Sequence, residues 1–283
     1  MIADNCRSNP LLTDRDSPRN RYMMILSYDG APFYGWQVQP NRPSVQQAIE
    51  EALRTVLHIP LHIVGAGRTD TGVNARHMTA HFDIPSSIEH RLLADNEGLQ
   101  KLAYTLNAIL KPHITIHHIV KVENDLHARF DATERTYRYY VHTTPDPFRS
   151  DRSRYIYTPI DFDAMNRETK YLIGTQDFTS FSKLHTDTNN NICTVTKARW
   201  VQYGPSHFYF EITANRFLRN MVRAVVGTLL EVGTQKEKEG YVKKVIEAMD
   251  RCKAGPSMPG HALYLWDIKY PYELPSNPLP DNL

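Results

Sequence analysis

The chain has 283 residues, 41% of them hydrophobic and 23% charged, the balance of one large globular domain or two smaller ones with real cores. Lys and Arg number 33 against 31 Asp and Glu, so the net charge of +2 does not by itself announce a polyanionic partner. No apolar run approaches the ~18 residues of a membrane span, residues 1–20 lack the apolar core of a secretory signal, and Cys6, Cys193 and Cys252 are too dispersed for a metal knuckle, so a cytoplasmic protein with free thiols is expected.

Residues 1–20 are polar, carry Pro10 and Pro18, and read as a loose tail. Tyr22–Tyr28 is a strand candidate. The loop after it, Tyr28-Asp-Gly-Ala-Pro-Phe-Tyr-Gly-Trp-Gln37, is dense in aromatics that could cover core or line a site. Ser44–Leu57 is predicted to be a helix: Ser44 caps it, Gln47 completes a capping box, and Val45, Ala48, Ile49, Ala52, Leu53 and Val56 share a face. Next comes Gly65-Ala-Gly-Arg-Thr-Asp-Thr-Gly-Val-Asn-Ala-Arg-His77. Its glycines bracket Arg68, Thr69 and Asp70 and suit a tight loop. Taken alone, Asp70 fits an Asx turn as well as a functional carboxylate, and no phosphate-binding glycine motif is present. Alternation over His77–Ile84 predicts a half-buried strand. Leu99, Leu102, Ala103, Leu106 and Leu110 mark a second helix stopped by Pro112, and Ile114–Val122 alternates as a strand.

The second half repeats the order. Thr133–His142 is a predicted strand, and Asp163 is the expected cap of a helix closed by Gly174. Ile192–Tyr203 and His207–Ala214 form a predicted hairpin turning at Gly204-Pro205. Asn215 is expected to cap a long helix from Arg216 to about Val232, which places Arg216, Arg219 and Arg223 on one basic face. A helix at Tyr241–Arg251, a strand at Ala262–Ile268 and a Pro-rich tail finish the chain. Each half therefore reads β-α-β-β-α-β. The predicted fold is α+β: two ferredoxin-like halves, 21–125 and 126–272, sharing one mostly antiparallel sheet with helices on one side, between tails at 1–20 and 273–283.

From Arg129 to Arg154 there are six arginines and no lysine, interleaved with tyrosines. Guanidinium forks suit phosphates and aromatic faces suit bases. The thirteen histidines show no ligand spacing, so no metal is expected.

Gly67-Arg-Thr-Asp-Thr-Gly-Val73 resembles the signature of the TruA-type tRNA pseudouridine synthases. So do Tyr28-Asp-Gly with Gly35-Trp-Gln37, the stretch His127 to Tyr140, Asp177-Phe-Thr-Ser-Phe181 and Asn215-Arg-Phe-Leu-Arg-Asn-Met-Val-Arg223, matches that cover nearly the whole chain from about Arg21 to Tyr272. The resemblance implies isomerisation of uridine to pseudouridine at positions 38–40 of the tRNA anticodon stem-loop, an active-site cleft between the halves, no cofactor, and a homodimer. It assigns Asp70 as the catalytic carboxylate, with Arg223 beside it, Arg68 holding the nucleotide out of the stack, and Tyr137 against the base. Arg135, Arg216 and Arg219 are candidate RNA contacts. Thr71 and Asn74 depart from the Ala and His usual there. The alternative from another class is a non-catalytic RNA-binding protein with two RRM-like domains, which the element order permits. The RNP aromatic motif it needs is absent.

Overall fold

The computed structural model describes residues 19–87, 89, 95–183 and 190–280. Most of the expected N-terminal tail, Cys6, residues 184–189 of the Asn-rich loop and the last three residues lie outside the described residues.

The first half builds strand β1 (Arg19–Tyr28), helix α1 (Val45–Leu57), strands β2 (Val64–Gly65) and β3 (Asn74–Pro85), helix α2 (Asn96–Leu110) and strand β4 (Ile114–Val122). The second builds β5 (Glu134–His142), β6 (Arg154–Tyr155), α3 (Phe162–Thr169), β7 (Gly174–Asp177), β8 (Ile192–Gly204), β9 (His207–Ala214), α4 (Met221–Gly233), α5 (Tyr241–Ala248) and β10 (Leu263–Lys269). All ten strands belong to one mixed sheet in the order β4-β1-β3-β10-β5-β9-β8-β7, with β2 also on β3 and β6 also on β5. The class is α+β. Strand β3 meets β10 in a parallel pair, Asn74 opposite Tyr264 and Ala75 opposite Leu265, and this is where the two halves join.

Strand alternation sorts the core. Tyr22, Met24, Leu26 and Tyr28 of β1 pack with Ile49 and Leu53 of α1 and Leu102 and Leu106 of α2. Tyr139 and Val141 of β5 pack with Met221, Val225 and Leu229 of α4. The intervening Tyr140 points the other way, into an aromatic cluster with Tyr264 and Trp266 that contains no helix residue. Tyr137 touches both helix-side clusters.

Several elements differ from the sequence reading. Ser44 caps α1 by accepting from the Gln47 N–H, but the Gln47 side chain turns to Glu51, so the box is half made. The cap of α3 is Asp161, which accepts from the Ala164 N–H. Strand β3 is buried on both faces along most of its length, because a central strand has no solvent side, and the half-buried pattern does not hold. The long basic helix is shorter than expected: α4 starts at Met221, after Asn220 in the left-handed region at φ 69°. Asn215 cannot cap it. Its N–H bonds the Thr194 carbonyl and its Oδ1 accepts from the Thr194 N–H, which ties it to β8. Arg216 and Arg219 therefore sit in an irregular turn and share no helix face with Arg223. Helix α5 ends at Ala248. Part of the Pro-rich tail docks on β3: the Arg76 guanidinium bonds the Pro280 and Leu279 carbonyls, and the Asn277 amide bonds the Arg76 carbonyl. Phe178 and Phe181 are fully buried packing residues.

Tyr139 is fully buried and its hydroxyl has no hydrogen-bond partner among the described residues. An unpartnered buried hydroxyl costs about 1–3 kcal/mol. Tyr139→Phe is accordingly expected to hold or raise the thermal unfolding midpoint. A fall of several degrees would show that the hydroxyl has a partner.

Candidate active site

The loop from Gly65 to Val73 is clamped before any ligand arrives. The Trp36 N–H donates to the Thr69 carbonyl at 3.2 Å, and the Gly72 N–H to the Phe33 carbonyl at 3.3 Å. The Tyr28 hydroxyl meets the Thr69 hydroxyl at 2.8 Å. Gly35, at φ 93°, lets the two loops touch: a Cβ there would stand 2.4 Å from the Thr69 carbonyl oxygen. The aromatic loop thus serves as the floor of the Asp70 loop, with Trp36 buried against Tyr28 at 6.1 Å between centroids.

Asn74 ties this assembly to the second half. Its Oδ1 accepts from the Gly30 N–H at 2.8 Å, and its Nδ2 donates to the His261 carbonyl at 2.8 Å. Gly260 lies so close that a Cβ on it would be 2.5 Å from the Thr71 carbonyl oxygen. The loops preceding β3 and β10 are therefore in backbone contact.

Asp70 is 24% exposed and faces two guanidinium groups. Its Oδ2 is 3.5 Å from Arg223 Nη1, and its Oδ1 is 3.7 Å from Arg219 Nε. These are ion pairs without hydrogen-bond geometry, so both carboxylate oxygens remain able to meet a substrate. Arg223 is held from behind. Its Nε bonds the Met258 carbonyl, while its own carbonyl accepts from the Met258 N–H at 3.2 Å. The 255–258 segment is fastened along α4 by the Gly255 N–H on Thr228 Oγ1 at 2.9 Å and by Asn220 Nδ2 on Ser257 Oγ at 2.7 Å. Arg219 is the looser partner, 59% exposed.

Tyr137 stands edge-on to Phe217, 5.1 Å between centroids. Its hydroxyl has no partner among the described residues. Burial raises its pKa and the charge of Asp70 raises it further. Arg68 is exposed and also unpartnered among the described residues.

The structure thus brings Asp70, Arg219, Arg223 and Tyr137 together. Arg216 lies apart, with Nη1 3.5 Å from Asn190 Oδ1. Arg135 is engaged by the backbone: Nη1 donates to the Ala132 and Asn215 carbonyls, both at 2.7 Å, and Nη2 to those of Arg129 at 2.7 Å and Ala66 at 3.2 Å. Arg138 is also engaged, paired with buried Glu211 at 2.8 Å and stacked over Trp266 at 4.0 Å. Sequence reasoning missed Phe217, Met258 and His261. The first stood unremarked inside the quoted motif, and the other two act through backbone atoms, which leave no side-chain signature.

The arrangement is a carboxylate left open between two guanidinium groups, one held by backbone and one loose, beside a phenol in the seam of the sheet. A family model described as tRNA pseudouridine synthase matches residues 169–271. The chain is 52% identical over 254 residues to tRNA pseudouridine synthase A of Parabacteroides distasonis, covering 90% of this chain and 97% of that protein. It is 46% identical to the Bacteroides fragilis protein of that name, covering 90% and 98%, and 38% identical to the one from Bacillus subtilis, covering 88% and 99%. The chain belongs to the tRNA pseudouridine synthase A family.

Arg135→Ala removes the donors for four carbonyls at once. It is expected to lower stability by roughly 2–4 kcal/mol in urea denaturation. Arg68→Ala should stay within about 0.5 kcal/mol of the parent. Equal effects would contradict the division of labour between the two arginines.

Proposed function

We propose that the protein converts uridine to pseudouridine at positions 38–40 of the tRNA anticodon stem-loop, with Asp70 as the reacting carboxylate. The observation that carries the reading is the placement of Asp70: open to substrate, between Arg219 and Arg223, in the seam where the halves meet. The reaction breaks the bond between N1 and C1′, turns the base and closes a bond from C5 to C1′. C5 loses a proton and N1 carries one at the end, so atoms and electrons balance without a redox partner or group donor. Asp70 acts on the sugar or on the base; its position serves either. Arg223 and Arg219 fix the carboxylate and offer charge to the anionic substrate. Tyr137 lies against the base, where its hydroxyl relays the proton that leaves C5. Arg68, exposed on the loop, helps to hold the nucleotide out of its stack. An RNA-binding protein without catalysis would leave this carboxylate without a purpose.

The orders β4-β1-β3-β2 and β10-β5-β9-β8 support reading each half as a ferredoxin-like unit. We read the protein as a cytoplasmic homodimer in keeping with the resemblance. No described helix is long and apolar enough to cross a membrane.

Transfer RNA carrying tritium at C5 of uridine tests the assignment, because the label leaves to water as pseudouridine forms. Asp70→Asn is expected to bind this tRNA within about threefold of the parent and to release no tritium. Turnover by that variant would sink the assignment. Tyr137→Phe keeps the ring and loses the relay, and its single-turnover release should slow at least about tenfold while filter-binding affinity holds. Lost affinity with an unchanged rate would make Tyr137 an RNA contact only.

A further inference from the structure

We propose that Phe130 is a stacking platform for a nucleobase of the substrate RNA next to the target uridine, a subsite apart from the one beside Asp70. The inference rests on the tRNA reading above. Phe130 is 77% exposed, yet its position is fixed. Its ring lies on the His127 ring, 4.3 Å between centroids and tilted by 30°. The turn beneath it is held by a set of bonds. His127 Nδ1 accepts from the Arg129 N–H at 3.1 Å and the Phe130 N–H at 3.2 Å. Asp131 Oδ2 accepts from the His127 N–H at 2.6 Å. His81 Nδ1 accepts from the Ala128 N–H at 3.1 Å, and the Tyr270 hydroxyl donates to the Ala128 carbonyl at 2.6 Å. A core aromatic would not leave most of its ring in water. An aromatic presented on a turn this well ordered has already met the entropic cost of being positioned for a partner.

Its place in the molecule identifies the partner. The guanidinium of Arg135 joins the Arg129 carbonyl, next to Phe130, to the Ala66 carbonyl on the Asp70 loop and to the Asn215 carbonyl. Around this hub stand three arginines: Arg68 two residues beyond Ala66, Arg129 with its guanidinium 5.9 Å from the Phe130 centroid, and Arg216 after Asn215. Arginines for phosphates around an aromatic face for a base make the usual footing of a single-stranded nucleic acid. A second argument comes from the reaction. Taking a nucleotide out of its stack leaves the neighbouring base with one face uncovered. A rigid aromatic joined to the catalytic loop through the Arg135 guanidinium can cover that face.

The experiment measures filter-binding affinity and single-turnover tritium release with full-length protein and the C5-tritiated tRNA. Loss of one aromatic platform is expected to weaken binding at least about fivefold in Phe130→Ala. Phe130→Trp should restore affinity, whereas Phe130→Leu, apolar but without a π face, should stay near the alanine value. Thermal midpoints should stay within a few degrees of the parent, because the side chain is exposed. Affinity in Phe130→Ala within twofold of the parent overturns the subsite, and so does full affinity in Phe130→Leu. Parent protein that binds the tRNA but releases no tritium overturns the catalytic reading instead, and the affinity series then still decides whether Phe130 meets RNA.

Discussion

The parallel contact between β3 and β10 is the constraint on which the rest depends. It is only two register pairs long. Each strand is entered from a loop that matters: β3 from the loop of Asp70, β10 from the segment that holds Arg223. Running the strands in the same direction brings those two loops to the same end of the sheet. An antiparallel pair would send them to opposite ends. Gly260 and Asn74 then set the spacing, the first by allowing backbone contact with Thr71, the second by bonding Gly30 and His261 at once. A carboxylate from one half is thereby aimed at arginines from the other.

The hold on Asp70 contrasts with that on Glu211. Burial alone would push the Glu211 pKa up, but Lys197 and Arg138 outweigh it and hold it below the usual carboxylate range. Glu211 is nearly fully buried and bonded by Arg138, Lys197 and Arg199. It fastens the sheet and has nothing left for a ligand. Asp70 has two cations near it, neither within hydrogen-bond geometry, and one of them is on an exposed side chain. A structural carboxylate is saturated by its partners. A carboxylate that must act on a substrate is steered by them and left accessible.

Much of this was legible in the sequence, and the failures have physical causes. Helix α1 declared itself through its cap and apolar face, and the Gly-Arg-Thr-Asp loop through its glycines. The start of α4 did not. Arg216, Arg219 and Arg223 repeat at helical spacing, but Asn215 is bonded to β8 and Asn220 turns left-handed, so the helix begins at Met221 and not at Arg216. Arg135 reads as a surface cation, and only the carbonyls converging on it from the 129–132 turn, Ala66 and Asn215 reveal its structural task. Asn74 departs from the usual histidine of the resembling family, yet an amide supplies one donor and one acceptor, the two functions needed between His261 and Gly30. The Thr71 side chain faces solvent, so its change from alanine displaces nothing.

The central claim is that this seam isomerises uridine in tRNA. Purified protein incubated with an unmodified anticodon stem-loop tRNA, followed by nucleoside analysis and mapping of the modified positions, tests it most directly. The account predicts pseudouridine at one or more of positions 38–40, formed without any added cofactor. Uridine recovered intact at all three positions, from a tRNA the protein demonstrably binds, would contradict it.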